Sequence, residues 1–381
     1  MEQKKIKNLS MSGGGVYGFA ELGVLKELEK YGQYLDIQNI KGVSVGSIVA
    51  ALYAIGYTAD ELTKILFDMN LDNLIMDTYF TTIHLYNNYG MHASKGLEEE
   101  VERLISMKTN IKQCTFSQID KNLTIIATNL NYQCPKFFDK ENTPNVPISK
   151  AIRLSTAYPI VMTPVLFEGD LICDGGAFLN YPIITVPDDE LDLTIGITFS
   201  AHNENLNGSL SERCQINNIY EYIATVGMTM TRSMYLAQVT EKYLNRSVVV
   251  KISEKINSIQ FNLTPEQKKY IYQCGINSAR EQISTILNVP PIVEELIENP
   301  IPTSSPVVEK PIENPTPKSD TVESVENPIP KSNAVLESVE NPIPKVECLA
   351  ENSIPKVECL AENSVPASTP NLDPIENIVV Q

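Results

Sequence analysis

The sequence has no apolar run long enough to cross a bilayer, which would take about 20 consecutive apolar residues. It therefore predicts no transmembrane helix. The chain starts Met-Glu-Gln-Lys-Lys-Ile-Lys and lacks the apolar core of a secretory signal. We expect an intracellular, cytoplasmic protein without a signal peptide.

Positive charge is scarce. The chain has 30 Lys and Arg residues against 47 Asp and Glu residues, a formal net charge of −17 at pH 7. Binding to nucleic-acid phosphates needs clustered Lys and Arg side chains, so we expect no nucleic-acid partner. The same balance disfavours simple electrostatic adsorption to anionic membranes.

Cysteine pairs with a metal-binding or redox spacing are also missing. The first 290 residues hold five scattered cysteines without a Cys-x-x-Cys pair, namely Cys114, Cys134, Cys173, Cys214 and Cys274. An odd number of dispersed cysteines favours reduced thiols over a disulfide framework.

The last part of the chain lacks glycine and aromatic residues altogether. Residues 291–381 hold 15 of the 24 prolines, and their 16 acidic and 5 basic residues give −11, which leaves −6 for residues 1–290. The pentapeptide Glu-Asn-Pro-Ile-Pro recurs from residues 298, 326 and 340. Repeats of this kind do not build a packed core. We expect a globular domain over 5–290 and a disordered, acidic, proline-rich tail over 291–381, which acts as a spacer or as a docking arm.

The most informative stretch is Lys41-Gly42-Val43-Ser44-Val45-Gly46-Ser47, a Gly-x-Ser-x-Gly motif. An apolar extended run precedes it and a helix pattern follows it, which is the strand–turn–helix context of a nucleophilic serine. Gly42 and Gly46 flank a turn too tight for larger side chains. The following helix directs free N–H groups and its positive dipole end at Ser44. The motif alone is common by chance, so an inert serine in a turn stays an alternative at this point.

A glycine-rich loop lies near the amino terminus. Residues 6–11 alternate apolar and polar side chains, which predicts a strand, and they run into Gly13-Gly14-Gly15-Val16-Tyr17-Gly18 at the start of a helix. Backbone N–H groups in such a loop bind an anion or an oxyanion. The glycines also fit the dinucleotide fingerprint, with Asp36 as the ribose-binding acid. Asp36 precedes an apolar run instead of ending one, which disfavours that alternative.

A third motif, Asp174-Gly175-Gly176, ends the second arm of a hairpin predicted over 163–174. An Asp-Gly dipeptide is above all a turn signal. At the end of a strand, however, Asp174 stands where a site on an α/β sheet would place a carboxylate. Gly175 and Gly176 would let another backbone segment come close to it.

Together, these motifs and the segment Ala151-x-x-Leu-Ser155-x-Ala157-x-Pro159 resemble the patatin-like phospholipase family over about residues 5–290. The resemblance implies a three-layer α/β/α fold around a central, mostly parallel sheet. It also implies hydrolysis of lipid acyl esters by a Ser–Asp dyad, without a metal or another cofactor. By motif, Ser44 is the nucleophile and Asp174 is the base. The implied oxyanion hole consists of the backbone N–H groups of Gly13, Gly14 and Gly15, with Val45 as an extra donor.

Three residues depart from the family pattern. Tyr17 stands where a basic residue is usual, and Val43 and Val45 flank the serine where Thr and Ala are usual. Tyr17 removes a positive charge near the site, and the two valines narrow the acyl pocket.

An Asp near its reference pKa of about 3.9 is ionised at pH 7 and able to take the serine proton. Since no imidazole takes part, we expect activity to persist between pH 5 and 7.

Further alternatives stay open. The order Ser44…Asp174…His202 is that of an α/β-hydrolase triad, although here the serine follows only one strand. The apolar segment 71–93 predicts either a packed irregular excursion or a flap beside the site. Three methionines of a helix predicted over 219–243 either fill the core or face lipid, namely Met228, Met230 and Met234.

We therefore predict a serine-dependent hydrolase of phospholipase A type, which reaches membrane or micellar phospholipids by peripheral contact. The competing hypothesis is a non-enzymatic lipid-binding or scaffold protein in which the repeat tail carries the function.

Overall fold

The computed structural model describes residues 4–77, 81–199, 216–217, 219–252 and 256–292. These residues lie in the first of the two units into which the chain divides, Met1–Asn299 and Pro300–Gln381. Most of the tail predicted over 291–381 falls outside the described residues, and so does His202.

The described residues form ten strands: β1 Ile6–Met11, β2 Leu35–Val43, β3 Gly90–His92, β4 Asn122–Asn129, β5 Cys134–Phe138, β6 Ile160–Met162, β7 Val165–Phe167, β8 Asp170–Asp174, β9 Thr194–Phe199 and β10 Ser247–Val250. Eight of them build one sheet in the order β10-β9-β1-β2-β4-β8-β7, with β5 paired to β4. The first five strands of that order are parallel, and β5, β7 and β8 are antiparallel additions. The strands β3 and β6 form a separate parallel pair.

The same residues form ten α-helices: α1 Gly18–Glu29, α2 Val45–Ala54, α3 Ala59–Asp68, α4 Leu71–Ile75, α5 Thr81–Asn88, α6 Lys95–Thr109, α7 Ile148–Ser155, α8 Ile219–Gln238, α9 Glu241–Leu244 and α10 Pro265–Leu287.

Alternate residues of β4 enter different apolar clusters. Ile125 and Ala127 join the large core that contains α1, α2 and α10, whereas Ile126 joins a small cluster with Val43 and Leu179. The predicted mixed α/β architecture, a central sheet flanked by helices, is confirmed.

Local sequence signals explain several helix boundaries. Thr264 caps α10 by accepting a hydrogen bond from the Gln267 N–H, and its own N–H donates to the side-chain oxygen of Gln267, as the Thr-Pro-Glu start predicts. Ser94, in contrast, occupies the N-cap position of α6, where the sequence predicts it, but its side chain makes no capping hydrogen bond. Its φ is 51° and its hydroxyl donates to the Ile75 carbonyl oxygen at 3.0 Å, so it braces α4 instead.

The segment 71–93 is more regular than the sequence predicts. It contains α4, α5 and β3, with residues 78–80 outside the described part of the chain. Helices of five and eight residues are too short to show a clear 3.6-residue period, which explains why the pattern was not visible. The helix predicted over 219–243 likewise divides into α8 and α9.

Strand β4 brings two distant strand ends together. β2 pairs with the first half of β4 as far as Val43 opposite Ile126. β8 arrives from the opposite direction along β4, with Asp174 opposite Ala127. Because Ile126 and Ala127 are neighbours, the residue after β2 and the last residue of β8 must meet.

Candidate active site

Ser44 occupies the tight turn between β2 and α2. Its backbone has φ 53° and ψ −128°, a strained conformation for a residue with a side chain and one typical of a nucleophile on a strand-to-helix turn. The flanking glycines are required by close contacts. A Cβ atom on Gly42 would lie 2.4 Å from the Gly46 carbonyl oxygen, and one on Gly46 would lie 2.6 Å from the Ser12 carbonyl oxygen.

Asp174 lies directly beside this serine. The Ser44 hydroxyl donates to Asp174 Oδ2 at 2.5 Å, across 130 residues of sequence. The Gly176 N–H donates to the other carboxylate oxygen, Oδ1, at 2.7 Å, and the Asp174 N–H donates to the Ala157 carbonyl oxygen at 2.9 Å. Gly175 allows the turn to pack directly against the backbone of β4, because a Cβ atom on Gly175 would lie 2.2 Å from the Ile126 carbonyl oxygen. The carboxyl is thus held in one orientation toward the serine.

Burial controls the acidity of this carboxyl. Asp174 is only 2% exposed, and loss of solvation raises its pKa to about 6, although the hydrogen bonds from Ser44 and Gly176 oppose the shift. The prediction of a pKa near 3.9 is therefore wrong. A carboxylate with a pKa of about 6 is a stronger base and is still about nine-tenths ionised at pH 7. Half of it is protonated near pH 6, so undiminished activity between pH 5 and 7 no longer follows.

The glycine loop lies against the serine. A Cβ atom on Gly13 would come within 3.2 Å of Ser44 Cβ, and one on Gly18 within 2.4 Å of Val45 Cγ2. The Gly13 N–H already donates to the Asn180 carbonyl oxygen at 2.9 Å. Within the described part of the chain, the N–H groups of three predicted donors have no hydrogen-bond acceptor, namely Gly14, Gly15 and Val45.

The back of the loop is tied to the segment around Ser258. The Val16 N–H donates to the Ser258 carbonyl oxygen at 2.8 Å, and Gly15, with φ +54°, has no room there for a side chain. Tyr17, which replaces the usual basic residue, is buried and donates its hydroxyl to the Ile256 carbonyl oxygen at 2.7 Å. Burial raises the pKa of this phenol, so Tyr17 anchors the loop as a neutral group.

Sequence reasoning missed the roles of two residues around the dyad. The Ser155 hydroxyl accepts a hydrogen bond from the Ser44 N–H at 2.9 Å and donates to the Ile126 carbonyl oxygen at 2.6 Å. Asn180 contacts Gly13 with both its backbone and its side chain. In the sequence, Ser155 stands out only as part of a family motif, and Asn180 follows the Asp-Gly-Gly motif by four residues without a pattern of its own.

The structure also bears on the alternatives. Asp36 is exposed near the start of β2, at the edge of the sheet opposite to the glycine loop, and accepts a hydrogen bond from Gln38, which disfavours a dinucleotide site. His84 contacts the Gly90 carbonyl oxygen, and His92 is buried in β3. Among the residues that the structure describes, no group of three or more His, Cys, Asp or Glu side chains is placed to hold a metal ion.

Comparison with known proteins identifies the family of this chain. The family model named patatin-like phospholipase matches residues 9–186, a range that includes all three motifs. An uncharacterized protein of Acanthamoeba polyphaga mimivirus is 55% identical over 291 residues, which cover 76% of this chain and 97% of the viral protein. The chain belongs to the patatin-like phospholipase family.

Two further likenesses are more distant. A probable lipid hydrolase of Invertebrate iridescent virus 6 is 29% identical over 190 residues, which cover 48% of this chain and 64% of the relative's length. The crystal structure of VipD from Legionella pneumophila has 16% sequence identity and a TM-score of 0.48, over 74% of this chain and 67% of that chain.

Proposed function

We propose that this protein is a serine-dependent lipid acyl hydrolase of phospholipase A type, with Ser44 as nucleophile and Asp174 as general base. Family membership and the relative named as a probable lipid hydrolase support lipid hydrolysis. The observation that carries the residue assignment is the 2.5 Å hydrogen bond from the Ser44 hydroxyl to the buried Asp174 carboxylate. A nucleophile and a base within this distance can transfer a proton as the attack occurs.

The proposed reaction has two halves. Asp174 takes the Ser44 proton as the serine oxygen attacks the acyl carbonyl carbon, and the resulting oxyanion accepts hydrogen bonds from the Gly14 and Gly15 N–H groups. Collapse of this intermediate breaks the ester bond, and the leaving lysolipid alcohol takes the proton from Asp174. Water then attacks the acyl-enzyme with Asp174 again as base, which releases the fatty acid and restores Ser44.

An apolar crevice beside the site supports an acyl chain as ligand. It begins at Gly15 and Val45 and continues between α2, α3, α4 and α6, where its walls include Leu66, Met69 and Leu97. The cavity measures about 30 Å³, close to the space for one water molecule, so an acyl chain requires these helices to separate. An almost wholly apolar lining next to reactive polar groups is typical of a pocket for a hydrocarbon ligand.

Exposed apolar side chains support peripheral contact with lipid. Tyr86 on α5, Tyr89 directly after it and Met230 on α8 are each more than half exposed. Met230 thus fits the lipid-facing alternative, whereas the side chain of Met228 lies outside the described residues. Tyrosine suits a membrane surface because its ring is apolar and its hydroxyl stays hydrated. None of the helices described here is both long and apolar enough to cross a membrane.

The test is fatty-acid release by the full chain from mixed phospholipid vesicles and from micelles. We expect Ser44→Ala and Asp174→Asn to abolish release, and His202→Ala to retain it. Ser233→Ala and Asp36→Asn serve as matched controls, because both residues are exposed and lie outside the site. Lipids labelled separately at the two acyl positions show which ester is cleaved.

Two results would overturn the proposal. Full release by Ser44→Ala would show that another group is the nucleophile. Absence of release by the unaltered protein on every lipid, with and without added cell extract, would favour the scaffold hypothesis, in which residues 291–381 carry the function.

A further inference from the structure

Asn180 lies between the glycine loop and the Asp174-Gly175-Gly176 turn and contacts both. Its carbonyl oxygen accepts the Gly13 N–H at 2.9 Å, and its side-chain Nδ2 donates to the Gly13 carbonyl oxygen at 3.1 Å. A Cβ atom on Gly13 would lie 2.3 Å from Asn180 Oδ1, and one on Gly176 would lie 2.7 Å from the same atom. One side chain therefore touches the loop that carries the proposed oxyanion donors and the turn that carries the proposed base.

The contact to the Gly13 carbonyl oxygen also determines the direction of a neighbouring N–H group. That oxygen belongs to the peptide unit whose N–H is that of Gly14, and the peptide is trans. In a planar trans peptide the C=O and N–H bonds point in opposite directions. Because Asn180 Nδ2 holds the carbonyl, the Gly14 N–H must point away from Asn180, where no acceptor is found among the described residues.

The hydrogen bond from Asn180 Nδ2 to the Gly13 carbonyl oxygen acts as a clamp on the loop, which matters because the loop is made of glycine. Glycine has the largest conformational freedom of any residue, so three in a row do not fix their own N–H groups. An oxyanion hole is effective when its donors are oriented before the reaction starts. Gly13 lies within contact distance of Ser44, as the 3.2 Å approach of its would-be Cβ atom to Ser44 Cβ shows, so the clamped peptide adjoins the nucleophile.

We propose that Asn180 is a positioning residue of the oxyanion hole, which aims the Gly14 N–H by holding the Gly13–Gly14 peptide from behind. The inference rests on the proposed function of Ser44 and Asp174. Among the described contacts, Asn180 makes its hydrogen bonds to Gly13 and none to Ser44. Loss of the Asn180 side chain should misdirect one donor, the Gly14 N–H. Removal of an oxyanion donor lowers kcat by about 10²–10³-fold, so the loss of kcat on changing Asn180 should be no larger than this.

The experiment compares Asn180→Ala and Asn180→Asp in the full chain, with a soluble short-chain ester as substrate. Asn180→Asp keeps the size of the side chain, loses the donor to Gly13 and adds a negative charge. We expect both variants to lower kcat by about 10-fold to 10²-fold with little change in KM. Asn277→Asp is the matched control, because Asn277 is exposed on α10 and its loss should leave kcat unchanged.

A trifluoromethyl ketone with the same acyl chain supplies a readout that a purely structural role would not move. Its adduct with serine carries an oxyanion, so its affinity should fall by the same factor as kcat/KM. A non-reacting ether analogue, which has no oxyanion, should bind the variants as tightly as the unaltered protein. Asn180→Asp should additionally raise the acidic midpoint of the pH profile, because its carboxylate would lie close to Asp174, whereas Asn180→Ala should not.

Two outcomes would overturn the positioning role. One is unchanged kcat and ketone affinity in both variants. The other is an equal loss of ketone and ether affinity together with a lower unfolding temperature, which would indicate general disruption. Ser44→Ala, run alongside, separates this result from a failure of the proposed function: if Ser44→Ala keeps the activity, the site assignment itself is wrong.

Discussion

Replacing Asp174 by Asn removes a buried negative charge and keeps the shape of the side chain, so its effect on stability follows from the pKa of the carboxyl. Burial raises that pKa from an ordinary value of 3.8 to about 6. A shift of about two units corresponds to about 3 kcal/mol of free energy of unfolding, since one unit is worth about 1.4 kcal/mol. The charged form of Asp174, which the proposed mechanism needs, therefore destabilises the fold.

The pH range follows from the direction of the shift. The folded protein binds the Asp174 proton more tightly than the unfolded chain does, so the contribution of Asp174 to the free energy of unfolding is highest below about pH 4. It falls as the pH rises toward 6 and is about 3 kcal/mol lower above that value. An Asn at this position stays neutral throughout. Its oxygen can accept the Gly176 N–H and its amide group can donate to the Ser44 oxygen, so both contacts of the native side chain have an equivalent.

Urea unfolding of the two proteins between pH 4 and pH 8 measures this effect. The free energy of unfolding of Asp174→Asn, minus that of the unaltered protein, should rise by about 2.5 kcal/mol across this range. Other titrating groups, including the buried Glu21, are common to both proteins and cancel in the difference. The exposed Asp36→Asn variant should give a flat difference. A flat or falling difference for Asp174→Asn would refute the reasoning, whatever constant offset accompanies it.

Three further predictions concern activity. If Asp174 must be ionised, kcat/KM should rise with pH, reach its midpoint near pH 6 and then level off, with the same midpoint in His202→Ala. A value of kcat/KM that is constant from pH 4 to 8 would contradict this. Ser155→Ala leaves the Ser44 N–H and the Ile126 carbonyl oxygen without their partner, so we expect the free energy of unfolding to fall by about 1–3 kcal/mol and kcat to drop. Unchanged values of both quantities would show that Ser155 does not support the site. Val45→Ala should widen the mouth of the apolar crevice and raise the ratio of kcat/KM for long-chain over short-chain esters, while an unchanged ratio would place the acyl chain elsewhere.

Features encoded in short stretches of sequence could be predicted. The turn at Ser44, the strand end at Asp174 and the start of α10 at Thr264 each depend on a few neighbouring residues with defined backbone needs. The order of the motifs also led to the correct family and fold class. The direct contact of Ser44 with Asp174 was implied only by the resemblance, because it depends on the pairing of two strands with neighbouring residues of β4.

Properties that depend on the tertiary environment could not be predicted in this way. A reference pKa ignores burial, which is why the expected acidity of Asp174 was wrong by about two units. The role of Ser155 depends on the side to which α7 turns its last residue. Ser94 does stand at the N-cap position of α6, as its residue type indicates, but its hydroxyl donates to the Ile75 carbonyl oxygen of the preceding segment.

The meeting of the ends of β2 and β8 beside β4 has a consequence for the chain during its synthesis and folding. During synthesis, Ser44 and its turn leave the ribosome 130 residues before Asp174 does. On the proposed mechanism, a chain that has folded only its first strands carries a nucleophile without a base and cannot attack the membranes of the cell that makes it. The hairpin of β7 and β8 completes the site when it joins β4, so hydrolytic activity arises late and all at once. In a refolding experiment, activity should accordingly return only after most of the helical structure has formed.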